Sequence, residues 1–514
     1  MGAELKGNET AAAGRGAVRR RAGICLALFA ALSLGACNTL GQSFEEAAGE
    51  AELRSGYLPG AARQPVTFEG IQQNDPQSSI GRTQHPRILA AYGGAYSDER
   101  LERTIAGIVG RLSSVSDDPG RAYRITILNS PNINAFALPG GYLYITRGLL
   151  ALANDSAEVA AVIAHEMAHV SANHGIERQQ REEAAELAGR VVNEVLSGDT
   201  AGRAALARGR LSLASFSRNQ ELQADALGIR QIGRAGYDAT AAARFLGAME
   251  SFTSFRNAFQ ASNPELDFLA SHPAAPQRVQ LANQHAAEFA SQTGATDRDR
   301  YLDGIDGMLF GDTAAEGYVR ERSFFHPALG IGFTVPEGFI IDNTAEAVLA
   351  TGPGDVAIRF DGVALPQRTS LTDYIGSGWI GGLDRSTIRT MRIGDLEAAS
   401  AQAAGGSYVF DVTVVRVGGQ VYRFLTALPA ASSDRLEPIA RQMSSSFRML
   451  SAQEREALKP LRIRVVTARA GDTQNSIASR MVGVDRRVEL FRLLNGLEGG
   501  GTVRPGERYK IIAE

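Results

Sequence analysis

The stretch from Asn154 to Gly175 constrains this chain more than any other. Asp155 can cap a helix, Glu158 follows three residues later, and Val159, Val162, Ile163, Met167 and Val170 keep helical spacing. On that helix lie His165, Glu166, Met167, Ala168 and His169. Two imidazoles four residues apart project from one face and can bind a single Zn²⁺, while Glu166 points beside the metal and not onto it. With 7 His in 514 residues, a His-acid-x-x-His spacing arises by chance about 0.01 times per chain. A pair of unrelated surface histidines is therefore the weaker reading.

Zinc needs a third protein ligand that leaves the fourth position to water. His174 lies nine residues after His165, one short of the spacing at which a third histidine would serve and without the intervening glycine. It reads as a surface or structural histidine. Glu221 is better placed, in the helical run Arg218 to Asp225, with Asp225 one turn on and on the same face. A ligand followed by an acid at that spacing suits the need of a metal-bound imidazole for an acceptor at its other ring nitrogen. An acidic pair on a helix is also what a solvated face looks like, so spacing alone leaves Glu221 open.

Neighbouring segments decide the matter. Asn134-Ala135-Phe136-Ala137-x-Pro139-Gly140-Gly141 precedes the zinc helix, Thr146-Arg147-Gly148-Leu149-Leu150 leads into it, and Ser271-His272-Pro273-x-x-x-x-Arg278 follows Glu221-x-x-x-Asp225. With His165-Glu166-x-x-His169, these ordered motifs resemble metallopeptidase family forty-eight over residues 85 to 290, and within it the BepA-like periplasmic branch, since no apolar run reaches eighteen residues. The resemblance implies a gluzincin fold, one Zn²⁺ held by His165, His169 and Glu221, Glu166 as general base and Asp225 supporting a ligand. It offers His272 two roles: stabilising a developing oxyanion, or taking the fourth zinc position and holding the enzyme latent. Arg278 either binds a nearby acid or faces solvent. Residues Asn134 to Ala137 are expected at the cleft edge, where an extended substrate can pair through its backbone with little regard for sequence, or else in an ordinary interior strand.

The rest of the chain supplies context. Arg19, Arg20 and Arg21 precede an apolar run, Ala22 to Ala36, of about fifteen residues, short for a bilayer span. The run ends Leu34-Gly35-Ala36-Cys37, which resembles a bacterial lipobox, so residues 1–36 are expected to be a lipoprotein signal peptide and Cys37 a lipidation site. Asn38 then points to the outer membrane of a bacterial periplasm. Residues 37–84 read as a flexible tether. Beyond them, the alternation in Tyr123 to Asn129 predicts a strand, and Ile133–Leu138 and Tyr142–Thr146 around Pro139-Gly140-Gly141 predict a hairpin.

The expected class is α+β and multidomain. A mainly helical peptidase domain with a small hairpin sheet spans 85–320, and a small α+β domain of unknown role spans 321–450. A C-terminal unit of 461–514 follows. Its Gly471-Asp472-Thr473, Leu494-Asn495-Gly496 and Pro505-Gly506-x-x-Tyr509 resemble a LysM module, which implies peptidoglycan binding or a degenerate structural role. Gln474 departs from the aliphatic residue usual there. With 53 basic against 56 acidic residues there is no basic field for nucleic acid. The leading expectation is a membrane-anchored zinc endopeptidase acting on unfolded or misassembled cell-envelope proteins. The alternative is a latent protease serving as an envelope chaperone or peptidoglycan-associated scaffold.

Overall fold

The computed structural model describes residues 76–118, 121–177, 218–257, 272, 276–291, 293–344, 347–498 and 500–514. The expected signal peptide, the lipobox-like segment with Cys37 and most of the expected tether lie outside these. Among the described residues the chain forms two units, one of residues 331–449 and one from the chain on either side, up to 330 and from 450.

The larger unit opens with α1, Pro76–Ala91. Residues 76–84 are therefore helical, where a tether was expected. The missed signal is tertiary: Ile88, Leu89 and Tyr92 pack on Leu128, Tyr142 and Tyr144, so α1 is held by the sheet and not by its own weak periodicity. Helix α2, Glu99–Ser113, is amphipathic. It buries Leu101, Ile105, Ile108, Val109 and Leu112, and Asp98 caps it by accepting from the Arg100 and Leu101 amides at 3.1 Å each. Strands β1 (Arg124–Leu128), β2 (Ala135–Leu138) and β3 (Tyr142–Thr146) form a sheet in the order β1-β3-β2. β3 runs parallel to β1 and antiparallel to β2.

β3 is buried along its whole length because both its faces are covered. Leu143 and Ile145 join the main core, while Tyr142 and Tyr144 face α1. The β2–β3 turn is the predicted Pro139-Gly140-Gly141, with Gly140 and Gly141 both at positive φ (85° and 81°). A side chain on Gly141 would lie 2.2 Å from the Ala122 carbonyl oxygen, so the turn admits only glycine there.

Helix α3 (Arg147–Leu152) leads into α4 (Ser156–Ser171), the zinc helix of the sequence reading. Asp155 accepts from the Glu158 amide at 2.9 Å and Glu158 accepts from the Asn154 amide at 2.8 Å, the reciprocal cap that the spacing predicts. Helix α5 covers 218–234, followed by α6 (Ala241–Asn257), α7 (Pro276–Ala286) and α8 (Arg298–Ile305). Arg244 on α6 reaches Asp155 at 2.8 Å and Glu158 at 3.3 Å, fixing the start of α4. Short strands β4 (Leu309–Phe310), β5 (Tyr318–Arg320) and β6 (Ser323–His326) follow, β5 and β6 as a hairpin.

The smaller unit begins with β7 (Ile331–Thr334), β8 (Ile340–Asn343), β9 (Val348–Gly352) and β10 (Val356–Ala364), then α9 (Leu371–Ile375). It continues through β11 (Leu383–Ile393), β12 (Leu396–Gly405), β13 (Tyr408–Val417), β14 (Gln420–Pro429), α10 (Leu436–Ser445) and β15 (Arg448–Met449). Seven strands make an antiparallel sheet in the order β11-β12-β13-β14-β10-β9-β8. Its buried polar pair is Arg423 with Asp361, bidentate at 2.6 and 2.8 Å.

The chain then returns to the larger unit with α11 (Ala452–Ala457), β16 (Leu461–Thr467), α12 (Gln474–Ala478), α13 (Arg487–Leu494) and β17 (Arg508–Ala513). This strand–helix–helix–strand order is the one expected of residues 461–514, but the segment is not an isolated bead. β16 pairs with β17 and also with β4, and Leu461, Ile463, Ile477, Phe491 and Ile512 belong to the same apolar core as Val159 and Ile163 of the zinc helix. Lys510, wholly buried, donates to the carbonyl oxygens of Ala151, Leu152 and Ala153 at 2.8, 3.2 and 2.6 Å. Those carbonyls are the unsatisfied end of α3, where a cation also meets the negative pole of the helix dipole.

Candidate metal centre

Three elements converge. α4 carries His165, Glu166 and His169; α5 carries Glu221 and Asp225; and His272 with Arg278 comes from the chain at the start of α7. α5 approaches α4 closely because it crosses at a glycine: a Cβ on Gly228 would lie 3.0 Å from the His165 backbone nitrogen. Gly228 is one turn beyond Asp225 and two beyond Glu221, so that close crossing brings both carboxylates to the imidazoles.

His165, His169, Glu221 and His272 each offer one ligand atom, all within 4.8 Å of one another. The His165 and His169 Nε2 atoms are 3.0 Å apart, Glu221 lies 3.4 Å from each of them, and His272 Nδ1 is 3.3 Å from His165 Nε2 and 3.0 Å from Glu221. Tetrahedral zinc with ligands at about 2.0–2.1 Å sets those ligand atoms about 3.3–3.4 Å from one another. The donor types and their separations therefore fit zinc. His272 stands at the fourth corner, which a catalytic site keeps for water.

Electrostatics point the same way. Burial alone would raise the Glu221 carboxyl, but hydrogen bonds from His165, His169 and His272 hold it well below the usual range. Burial pushes His169 down to about 3, leaving a neutral imidazole able to donate a lone pair. Burial also works against charge on His165, yet Asp225 and Glu221 lift it to about 10. The pocket is thus built around a positive charge, and a proton on His165 supplies it when no metal does. Asp225 Oδ1 lies 2.9 Å from His165 Nδ1, and its carboxyl is held down to about 2, against the effect of burial, by Arg278 and His165.

Arg278 settles the choice left open by its spacing: it binds acids. It is 3% exposed, grips Asp225 at 2.7 and 2.8 Å, and reaches Glu221 at 3.2 Å. Glu166 is buried, its carboxyl raised by that burial, and its Oε1 has no hydrogen-bond partner among the described residues and lies 3.5 Å from His272 Nε2. An orphaned carboxylate oxygen beside a metal site has a place for a water. A cleft of about 140 Å³ opens here, lined by Phe136, Ala137, Leu138 and Pro139 on one side and Glu166, His169, Val170 and Ile176 on the other.

Among the predicted edge residues, Asn134 is buried, with its amide and carbonyl both bonded to Thr146 Oγ1 at 3.0 Å and its side chain donating to Tyr92 at 3.0 Å. Phe136 stacks on Tyr144 at 4.9 Å, whereas Ala135 and Ala137 pack toward the main core. Ser271 and Pro273 lie outside the described residues. Of the two readings of His174, surface or structural, the structure supports the second: it is 2% exposed and meets His169, Nδ1 to Nδ1, at 3.0 Å. Asn173, at φ 57°, turns the chain back at the end of α4. Asparagine just past a predicted helix end is the signal that could have found it.

A helix bearing His-Glu-x-x-His, with a carboxylate from a later helix as the third ligand, is the donor pattern found in metallopeptidase centres. Residues 96–286 match the model of peptidase family M48. It is 28% identical over 246 residues to the putative beta-barrel assembly-enhancing protease of Vibrio cholerae, covering 46% of this chain and 49% of that protein. It is 28% identical to the beta-barrel assembly-enhancing protease of Escherichia coli, covering 42% and 45%. To the mitochondrial metalloendopeptidase OMA1 of Saccharomyces cerevisiae it is 31% identical over 37% of this chain and 55% of that protein. The chain spans about half the length of these curated relatives.

Proposed function

We propose that this protein is a zinc-dependent endopeptidase that cuts unfolded or misassembled envelope proteins. The observation that carries the reading is the cluster itself: the donor atoms of His165, His169 and Glu221 spaced as tetrahedral zinc requires, with the buried Glu166 carboxylate beside them. Zinc, when bound, supplies an acidified water and polarises the scissile carbonyl. Glu166, raised by burial, is suited to take the water's proton and pass it to the leaving amine. β2 is an edge of its sheet among the described residues, which supports pairing of an extended substrate along Ala135, Phe136 and Ala137. Backbone pairing suits substrates without a defined sequence. The names of the bacterial relatives support an envelope setting. Lipidation at Cys37 would hold the enzyme to the outer membrane, and the order of the C-terminal unit is compatible with a glycan-binding LysM-like module.

A second reading concerns regulation. His272 Nδ1 stands at the fourth corner of the cluster, which supports a latent enzyme in which His272 would move aside before water enters. Both readings are tested together on casein, with protein beginning after Cys37 and loaded with zinc. Glu166→Gln is expected to lower cleavage by about 10²–10⁴-fold with zinc content unchanged. His272→Ala is expected to raise cleavage if His272 gates the site and to lower it if it stabilises the oxyanion. Cleavage that survives Glu166→Gln and chelation alike would refute the peptidase reading.

A further inference from the structure

The two histidines of the zinc helix are held from behind by different chemistry. His165 Nδ1 faces the Asp225 carboxylate at 2.9 Å, and Arg278 locks that carboxylate with two bonds. Among the described residues, His169 Nδ1 faces no carboxylate; it faces His174 Nδ1 at 3.0 Å. His174 in turn places Nε2 3.3 Å from Gln223 Oε1, and its backbone carbonyl accepts from Gln220 Nε2 at 3.2 Å. Gln220 and Gln223 flank Glu221 on α5, so one helix supplies a metal ligand and also anchors the support behind another.

Proton bookkeeping makes the arrangement specific. His169 presents Nε2 to the cluster, 3.0 Å from His165 Nε2 and 3.4 Å from Glu221. A nitrogen that donates its lone pair to a metal carries no proton, so the ring proton of His169 sits on Nδ1. Two nitrogens 3.0 Å apart share one proton, which leaves His174 Nδ1 bare as the acceptor and puts the His174 proton on Nε2. The Gln223 carbonyl oxygen stands where that Nε2 proton must go. Each atom of the relay from Gln223 through His174 and His169 has one role consistent with its neighbours.

Resting on the zinc reading above, we propose that His174 is a positioning residue that fixes the tautomer and ring orientation of His169 and so sets the metal affinity of the site. The neutral support behind His169 contrasts with the anionic one behind His165. Loss of a partner behind a ligating histidine typically costs 10–100-fold in metal affinity.

The test reads metal binding and proton placement, not turnover. Zinc affinity is measured by competition with a chromophoric chelator for the wild-type protein, His174→Phe and His174→Gln, with the fold of each metal-free variant followed by circular dichroism. His174→Phe keeps a planar ring but accepts no hydrogen bond, and its affinity should fall about 10–100-fold. His174→Gln keeps an acceptor oxygen and should restore most of that loss. In parallel, ¹⁵N correlation spectra of the zinc-loaded wild-type protein should show His174 as the neutral Nε2–H tautomer. This readout does not depend on any variant folding. His174 protonated on Nδ1, or zinc affinity in folded His174→Phe equal to wild type, would overturn the proposal while leaving the zinc site intact. Absence of zinc binding by the wild-type protein would instead bring down the metallopeptidase reading itself.

Discussion

The two units bury polar groups to different ends. In the smaller unit, Arg423 and Asp361 form a tight bidentate pair on the sheet face that carries Val363, Val421 and Leu425, beside Tyr374 and Trp379. In the larger unit His165, Glu166, His174, Glu221, Asp225, His272 and Arg278 are all buried within one cluster. Desolvating so many ionisable groups is costly and hydrophobic replacement would often be more stable. The first arrangement holds a sheet together, whereas the second keeps a cation site ready at the expense of stability.

Removing one partner from each buried pair sharpens this comparison and should give the largest effects. Arg278→Leu leaves Asp225 and Glu221 uncompensated and is expected to cost the larger unit about 3–5 kcal/mol. The same variant should lose zinc affinity. Arg423→Leu is expected to cost the smaller unit a similar amount while zinc affinity stays at the wild-type value. Denaturant unfolding and chelator competition on both variants check this. Loss of zinc binding in Arg423→Leu would break the distinction.

A smaller effect tests where the larger unit ends. Among the described residues, Lys510 is the one side chain that donates to all three terminal carbonyls of α3, two residues before the Asp155 cap of α4. Lys510→Met should strand buried carbonyls and lower stability by about 2–3 kcal/mol. The thermal transition of the zinc-loaded protein should shift down with it. An unchanged transition would mean that residues 461–514 are carried by the core without contributing to it.

What the sequence conveyed follows from how local each signal was. The Asp155–Glu158 cap, the helical spacing through Val170 and the Pro139-Gly140-Gly141 turn rest on contacts within a few residues, and each is found as read. Convergence of Glu221, His272 and Arg278 on the zinc helix is not local, and motif resemblance supplied it. What was missed shares one cause, tertiary override. Helix α1 contains Pro86 and little periodicity, yet the tyrosine face of β3 holds it. His174 falls past the helix end, where only the left-handed turn at Asn173 returns it to the cluster.

The smallest effects concern pH, and the two units should respond with opposite signs. In the larger unit His165 is held up to about 10 without metal, so a proton competes with zinc throughout the neutral range. Displacing one proton makes zinc affinity rise about tenfold per pH unit and fall by as much on acidification. In the smaller unit burial raises Asp411 to about 6, with a compensating hydrogen bond from Thr413 Oγ1 at 2.8 Å. An acid whose folded pKa exceeds its unfolded value of about 3.9 contributes stability that is complete below that value and is lost as pH rises through about 6. Between pH 7 and pH 5 the metal centre should therefore weaken while the Asp411 contribution to its own unit grows, by up to about 1.4 kcal/mol per unit. Asp411→Asn, which can still accept from Thr413, should remove this contribution and leave the pH dependence of zinc binding untouched. Chelator competition and denaturant unfolding at pH 5, 6 and 7 on both proteins read the two slopes separately. Slopes of the same sign would mean that acid acts on the whole chain and not on two differently built interiors.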